Sequence, residues 1–163
     1  MDEIWLGLRL LLLLGLANTA PLVAKRWLST RWAAPLDGGM KFFDGRPLLG
    51  SSKTIRGLVA AVGAATLGAP LLGVPATVGA LLGCGAILGD ALSSFIKRRM
   101  GAAPSSRATG LDQIPEALVP LLALKGLLGL TLVQIAAITL AFFVLEIPLA
   151  WWSHRLGLRD RPY

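Results

Sequence analysis

The sequence predicts an all-α integral membrane protein, a bundle of about five transmembrane helices with two basic cytoplasmic loops. Three observations carry that prediction. Hydrophobic residues make up 55% of the chain and charged residues only 15%, with a mean hydropathy of +0.68, which is too apolar for a soluble domain of this length. The apolar residues fall in runs of about 17 to 22, the length a helix needs to cross the hydrocarbon layer. The cations are concentrated in two internal segments and the C-terminal tail, and the positive-inside rule puts all three on one side of the bilayer. With 163 residues, the chain reads as one transmembrane domain, 1–163, whose spans leave little for a separate soluble unit.

The first predicted span covers 4–24. An acidic start from Met1 to Glu3 and the immediate onset of the apolar run favour a retained span over a cleavable leader. Arg9 near its outer end is expected to snorkel to the interface. Ala17-Asn18-Thr19-Ala20-Pro21 places an amide and a proline just below Lys25-Arg26, and the proline leaves the carbonyl of Ala17 without its helical donor. The first cytoplasmic loop follows, over about 25–56. It ends in Asp44-Gly45-Arg46-Pro47-Leu48-Leu49-Gly50-Ser51-Ser52-Lys53-Thr54-Ile55-Arg56, in which glycines permit turns and donors gather just before a helix starts. Backbone amides at a helix start, with a cation beside them, suit phosphate oxygens. The spacing is not that of a nucleotide-binding P-loop.

The second and third spans, 57–73 and 76–96, are joined by the tight Gly73-Val74-Pro75 turn. Gly79 and Gly83, then Gly85 and Gly89, are spaced for close helix contact. Cys84 lies among them, and as the only cysteine it cannot form an intrachain disulfide and is expected to be a small packing residue. The second basic loop, about 97–113, carries Lys97, Arg98, Arg99 and Arg107. The fourth span is predicted over 114–130, opening on Ile114-Pro115-Glu116, and the fifth over 131–152. Trp151-Trp152 suits an interfacial belt, and His154, Arg155, Arg159 and Arg161 put the C-terminus in the cytoplasm with the N-terminus outside.

Helical rise puts Asn18, Asp90 and Glu146 at one depth, roughly 10 to 12 Å beneath the cytoplasmic boundary. Carboxylates at that depth are costly in lipid, so Asp90 and Glu146 are expected to face the bundle interior or a water-filled cavity. Asp90, Ser94 and Lys97 share a helical face, placing a carboxylate and a hydroxyl inside the mouth and a cation at its rim. Carboxylates bind Mg²⁺, which keeps several waters and bridges to substrate phosphates, while Lys and Arg neutralise the remaining phosphate charge. Asp112, returning from the loop, is a candidate second metal ligand. His154 reads as an interface residue, not as a catalytic one.

The ordered set Ala17-Asn18 with Pro21, Asp44-Gly45-Arg46 with Leu49-Gly50, Lys53-Thr54 with Arg56-Gly57, Gly89-Asp90 with Ser94 to Arg99, and Leu111-Asp112-Gln113 resembles the motifs of CDP-archaeol synthases. That family is related to the phosphatidate cytidylyltransferases. The resemblance implies a CTP:lipid-phosphate cytidylyltransferase that forms a CDP-lipid and pyrophosphate with Mg²⁺. It implies metal-binding roles for Asp90 and Asp112, and a catalytic role for them and Lys97. CTP or lipid-phosphate binding falls to Lys53, Thr54, Arg56, Arg98 and Arg99, with Asn18, Asp44, Ser94 and Gln113 as orienting groups. The chain departs from the family's pattern at Ile55 and at Pro115-Glu116, where Glu116 either replaces a lost acid or caps a helix. The lipid tail, diether or diacyl, is left open.

The expected partners are CTP, a membrane lipid phosphate and the bilayer, with no nucleic acid and a homodimer left open. The expected location is the cell membrane, multi-pass, with the active site facing the cytoplasm. Two other classes compete. A small transporter or channel would use Asp90 and Glu146 as a path but gives the two cationic loops no role. A CDP-alcohol phosphotransferase would begin with an Asp-Gly, echoed by Asp37-Gly38 and Asp44-Gly45, yet its further aspartates at helical spacing are absent.

Overall fold

A computed structural model describes residues 3–103, 106 and 108–155, without the side chains at 153 and 154. Arg107, Arg159, Arg161 and the His154 side chain therefore lie outside the described residues. The described residues form five helices: α1 (Glu3–Leu28), α2 (Ile55–Leu71), α3 (Ala76–Arg99), α4 (Gln113–Leu128) and α5 (Leu132–Arg155). Among the described residues there is no strand, only two isolated antiparallel bridges in the first loop, Pro35 with Thr54 and Lys41 with Pro47. α1, α3 and α5 are long and apolar enough to cross a membrane. At 17 and 16 residues, α2 and α4 rise only about 24–26 Å. The protein is an all-helical membrane bundle.

α3 is the spine. It packs on α2 along one side and on α4 along the other, while α1 lies on α2 and α5 bridges α4 and α1. The glycine pairs make this possible, and each serves a different neighbour. A Cβ at Gly79 would lie 2.2 Å from the carbonyl oxygen of Ala65 and one at Gly83 2.8 Å from the Cα of Val62, so this pair seats α2. A Cβ at Gly85 would lie 2.6 Å from the Cα of Pro120 and one at Gly89 2.0 Å from the carbonyl oxygen of Pro115, so the second pair seats α4. Backbones approaching this closely gain dispersion contact in a setting where lipid removes the hydrophobic drive between helices. The core that results holds Leu10, Leu13 and Leu14 from α1, Ala61 and Ala65 from α2, Leu82 from α3 and Leu121 and Leu124 from α4.

Cys84 does not pack as expected. It is exposed, on the same outward stripe of α3 as Leu81, Leu88 and Leu92, because a residue between two seated glycine faces points away from both. α1 also runs further than predicted, through Lys25-Arg26 to Leu28, with Pro21 held inside it. Arg9 extends toward the turn between α2 and α3, where a Cβ on Gly73 would stand 3.6 Å from its guanidinium.

Candidate active site

The packing at Gly89 fixes the centre of the site. Because Pro115 sits against that glycine, the start of α4 is drawn over the next residue of α3, Asp90. Asp90 then forms an ion pair with Lys53, which arrives from the first loop just before α2. Both side chains are about a fifth exposed, so each charge is costly without the other. Thr54 caps α2, its hydroxyl accepting the amide of Gly57 at 3.2 Å. The other amides of that helix start are taken by backbone carbonyls, Ile55 donating to Ala34 at 3.0 Å, Arg56 to Trp32 at 3.2 Å and Leu58 to Thr54 at 3.1 Å, which fixes the helix start beside the Lys53–Asp90 pair.

A second ion pair forms nearer the mouth. Lys97 lies 2.5 Å from Oδ1 of Asp112 and also donates to the carbonyl of Ser106 at 2.8 Å. Asp112 Oδ2 accepts the amide of Ala108 at 3.0 Å and Gln113 Oε1 that of Gly110 at 2.7 Å, which folds the second loop back onto α3. Arg56 is buried and its guanidinium donates to the carbonyls of Ser29 and Arg31, tying the end of the first loop to its beginning.

These groups line one cavity of about 920 Å³ at the end of the bundle where both loops gather. Asn18, Lys53, Thr54, Arg56, Asp90, Lys97, Asp112 and Gln113 are all on its wall, so eight of the twelve candidate residues meet there. Leu14, Ile87 and Phe142 provide an apolar side, and Glu146 enters from α5 as its depth suggested. Glu116 is also on the wall, where its carboxyl faces Asp90, Glu146 and Lys53. It is a cavity residue and not merely a helix cap; its place one turn into α4 after Asp112 was the available signal.

The other four candidates do not line the cavity. Ser94 is buried within the bundle. Arg98 is buried and donates to the carbonyl of Ala103 at 2.7 Å, bracing the second loop. Arg99 turns outward, pairing with Asp44 at 2.5 Å and donating to the carbonyl of Pro47 at 2.6 Å. Its guanidinium also lies over the rings of Phe42 and Phe95. The three consecutive cations thus take three directions, because successive helical residues project about 100° apart.

One residue that sequence reasoning passed over organises the first loop. Asp37 is buried and accepts the amides of Gly39, Leu49 and Gly50. Burial alone would raise its carboxyl, but these amides outweigh that and hold its pKa below the ordinary 3.8. The Asp37-Gly38-Gly39 run, an Asx-type turn signal, was the clue.

The donors on the wall are hard oxygen ligands, suited to Mg²⁺ in kind. Among the described residues no three His, Cys, Asp or Glu side chains form a closed metal cage.

With this geometry in place, three comparisons bear on kinship. A family model described as CarS-like, CDP-archaeol synthase, matches residues 72–163. The CDP-archaeol synthase of Sulfurisphaera tokodaii is 38% identical, over 79% of this chain and 81% of its own length. That of Aeropyrum pernix is 33% identical over 100% of this chain and 94% of its own. A solved structure, described as an intramembrane enzyme for archaeal membrane lipids biosynthesis, superposes with a TM-score of 0.74 at 32% identity, covering 86% of this chain and 90% of that one. The chain belongs to the CDP-archaeol synthase family.

Proposed function

We propose that this chain transfers the cytidylyl group of CTP to the phosphate of an archaeal-type membrane lipid, releasing pyrophosphate. The observation that carries it, beyond kinship, is the shared cavity in which Lys53 and Lys97 each hold a carboxylate, Asp90 and Asp112, beside the start of α2. An ammonium is a compact point charge on a flexible stem, so both lysines can exchange their carboxylates for phosphate oxygens without moving the backbone.

In the reaction, a phosphate oxygen of the lipid attacks the α-phosphorus of CTP. A new phosphorus–oxygen bond forms as the bond to the β-phosphate breaks, and pyrophosphate leaves with the bonding electron pair. Such a transfer needs positioning and charge stabilisation more than covalent help from the protein. Lys53 binds the triphosphate, and Lys97 follows the charge that develops toward the leaving group. The apolar side, with Leu14, Ile87 and Phe142, receives the upper part of the lipid chain and excludes water from the phosphorus.

Charge balance favours a divalent cation. The described wall sets Asp90, Asp112, Glu116 and Glu146 among Lys25, Lys53, Arg56 and Lys97, so its carboxylates offset most of the positive charge it could offer a triphosphate and a lipid phosphate together. Asp90 and Asp112 would hold Mg²⁺, which when bound supplies charge neutralisation to the phosphates. The clustering of cations in the two loops orients this end of the bundle to the cytoplasm, where CTP is found.

The test uses purified protein in vesicles with Mg²⁺, radiolabelled CTP, and the phosphates of dialkyl- and diacylglycerols. CDP-lipid and pyrophosphate should appear in equal amounts, fastest with the diether phosphate. Folded protein that forms no CDP-lipid from any of them would refute the reading.

A further inference from the structure

The first loop carries an exposed aromatic tip that neither the cavity nor the bundle uses. Residues 40–48 double back as a short hairpin, with the Lys41–Pro47 bridge, the amide of Phe42 on the carbonyl of Arg46 at 2.8 Å and that of Leu48 on Met40 at 2.8 Å. At its turn Phe43 is 100% exposed, and at its base, on the outgoing side, Met40 is 58% exposed. A polar loop has no reason to leave a phenylalanine wholly uncovered in water.

The hairpin's seat shows where that tip lies. Phe42 packs edge-on against Phe95 of α3, with ring centroids 5.3 Å apart, and against Phe43 at 5.0 Å. Phe95 continues the outward stripe of Leu81, Cys84, Leu88 and Leu92 by helical spacing. That stripe is the lipid-facing side of the bundle's central helix, since its opposite faces are filled by α2 and α4. The hairpin therefore docks on the lipid side of α3, one turn before its charged end, and not over the bundle axis. Arg99 locks it there, pairing with Asp44 and holding the carbonyl of Pro47. Arg46 returns the lock from the other side, donating to the carbonyl of Arg99 at 2.5 Å. Asp44 is thus offset, and Lys41 stands exposed beside the ring.

We infer that the 40–48 hairpin is a membrane-interface anchor, with Phe43 and Met40 inserted at the headgroup–acyl boundary of the bilayer beside α3 and Lys41 facing lipid phosphates. The occupant is the bilayer itself, chosen by continuity with the lipid-facing stripe and by the pairing of an apolar tip with a neighbouring cation. The consequence reaches the cavity. The loop's return strand is tied to its outgoing strand by the amide of Leu36 on the carbonyl of Lys53 at 2.7 Å and that of Ile55 on Ala34 at 3.0 Å. Anchoring the tip holds in register the segment that presents Lys53.

The test places a nitroxide at position 43 (Phe43→Cys in a Cys84→Ala background) in the full chain, reconstituted in vesicles of phosphatidylcholine and phosphatidylglycerol. Collision rates with oxygen, which concentrates among acyl chains, are compared with those of a water-soluble nickel chelate. Wild-type protein labelled at Cys84 gives the lipid-facing reference, and a label at Ser51 the aqueous one. The oxygen-to-nickel ratio at 43 should resemble that at 84. A ratio like that at 51 would overturn the anchor, and so would protection from both reagents, which would mean a protein surface or second copy covers the tip. Because the nitroxide is itself apolar, a second series labels Met40→Cys and varies residue 43. Phe43→Asp should raise nickel accessibility at 40 by about threefold or more, while Phe43→Trp leaves it unchanged. No change with Asp would overturn the inference even if the first series favoured it.

Discussion

Two sets of ion pairs grow from the same two loops and do opposite work. On the cavity side, lysines hold carboxylates: Lys53 on Asp90 and Lys97 on Asp112. On the outer side, arginine does so, with Arg99 on Asp44 while Arg46 and Arg99 each reach across to backbone carbonyls of the other's segment. A guanidinium with several fixed donors and a planar face can satisfy carbonyls, a carboxylate and aromatic rings at once, which suits it to a permanent clamp. An ammonium on a flexible stem, paired with a carboxylate, is more easily claimed by a phosphate. The difference teaches that in this chain cations divide by geometry as well as by position: Lys53 and Lys97 face the cavity, while Arg46 and Arg99 clamp the outer hairpin.

The largest effect that sharpens this contrast is loss of a cavity carboxylate. Asp90→Asn and Asp112→Asn should each cut CDP-lipid formation by roughly 10³-fold while the helical content by circular dichroism stays native. Near-wild-type rates in either variant would remove that residue from the reaction. Gly89→Ala comes next, because the added methyl meets the carbonyl of Pro115 at 2.0 Å and pushes α4 from α3. It should cost about 1–3 kcal/mol in denaturant-induced unfolding and lower turnover as well, since Glu116 and Gln113 ride on the same helix. An equal substitution at Gly63, where a Cβ meets nothing within 4 Å, should change little.

Arg99→Met probes the clamp and should do less to turnover than to stability. We expect about 1 kcal/mol of destabilisation, since the Asp44 partner is well exposed and solvent screens the pair, with CDP-lipid formation within a few-fold of wild type. The smallest effect is an acid response of the first loop. Asp37 has its folded pKa lowered below 3.8, so its contribution is complete above that value and is lost as pH falls through the folded value. Pepsin cleavage of the 29–54 loop should therefore accelerate as pH drops through that window in wild type. Asp37→Asn should remove the step and be cleaved readily throughout.

Much of the bundle was legible because lipid imposes simple rules. Five apolar runs became five helices, and the glycine spacing on α3 predicted close contact even though it could not say that one pair serves α2 and the other α4. Asn18, Asp90 and Glu146 meet on one cavity wall, and all three are on regular helices, where rise per residue converts number into height. Legibility ended where direction around the helix mattered. Lys97, Arg98 and Arg99 look like one phosphate-binding run, but their azimuths send them to the cavity, to the second loop and to the outer hairpin. Asp44 lies off the cavity wall for the same reason, since its partner is the outward arginine. For Glu116 the sequence left two roles open, because helix docking decides which groups it meets, and Asp37 was hidden because loop folding brings Leu49 and Gly50 to it.

The central claim is that the lysines, and not the arginine clamp, take the nucleotide phosphates. Equilibrium binding of radiolabelled CTP to wild type, Lys53→Met, Lys97→Met and Arg99→Met, each verified as folded by its thermal transition, tests it most directly. The account predicts that the two lysine variants weaken CTP binding by roughly tenfold or more and that Arg99→Met stays within about twofold of wild type. Loss of CTP binding in Arg99→Met with unchanged binding in both lysine variants would contradict it.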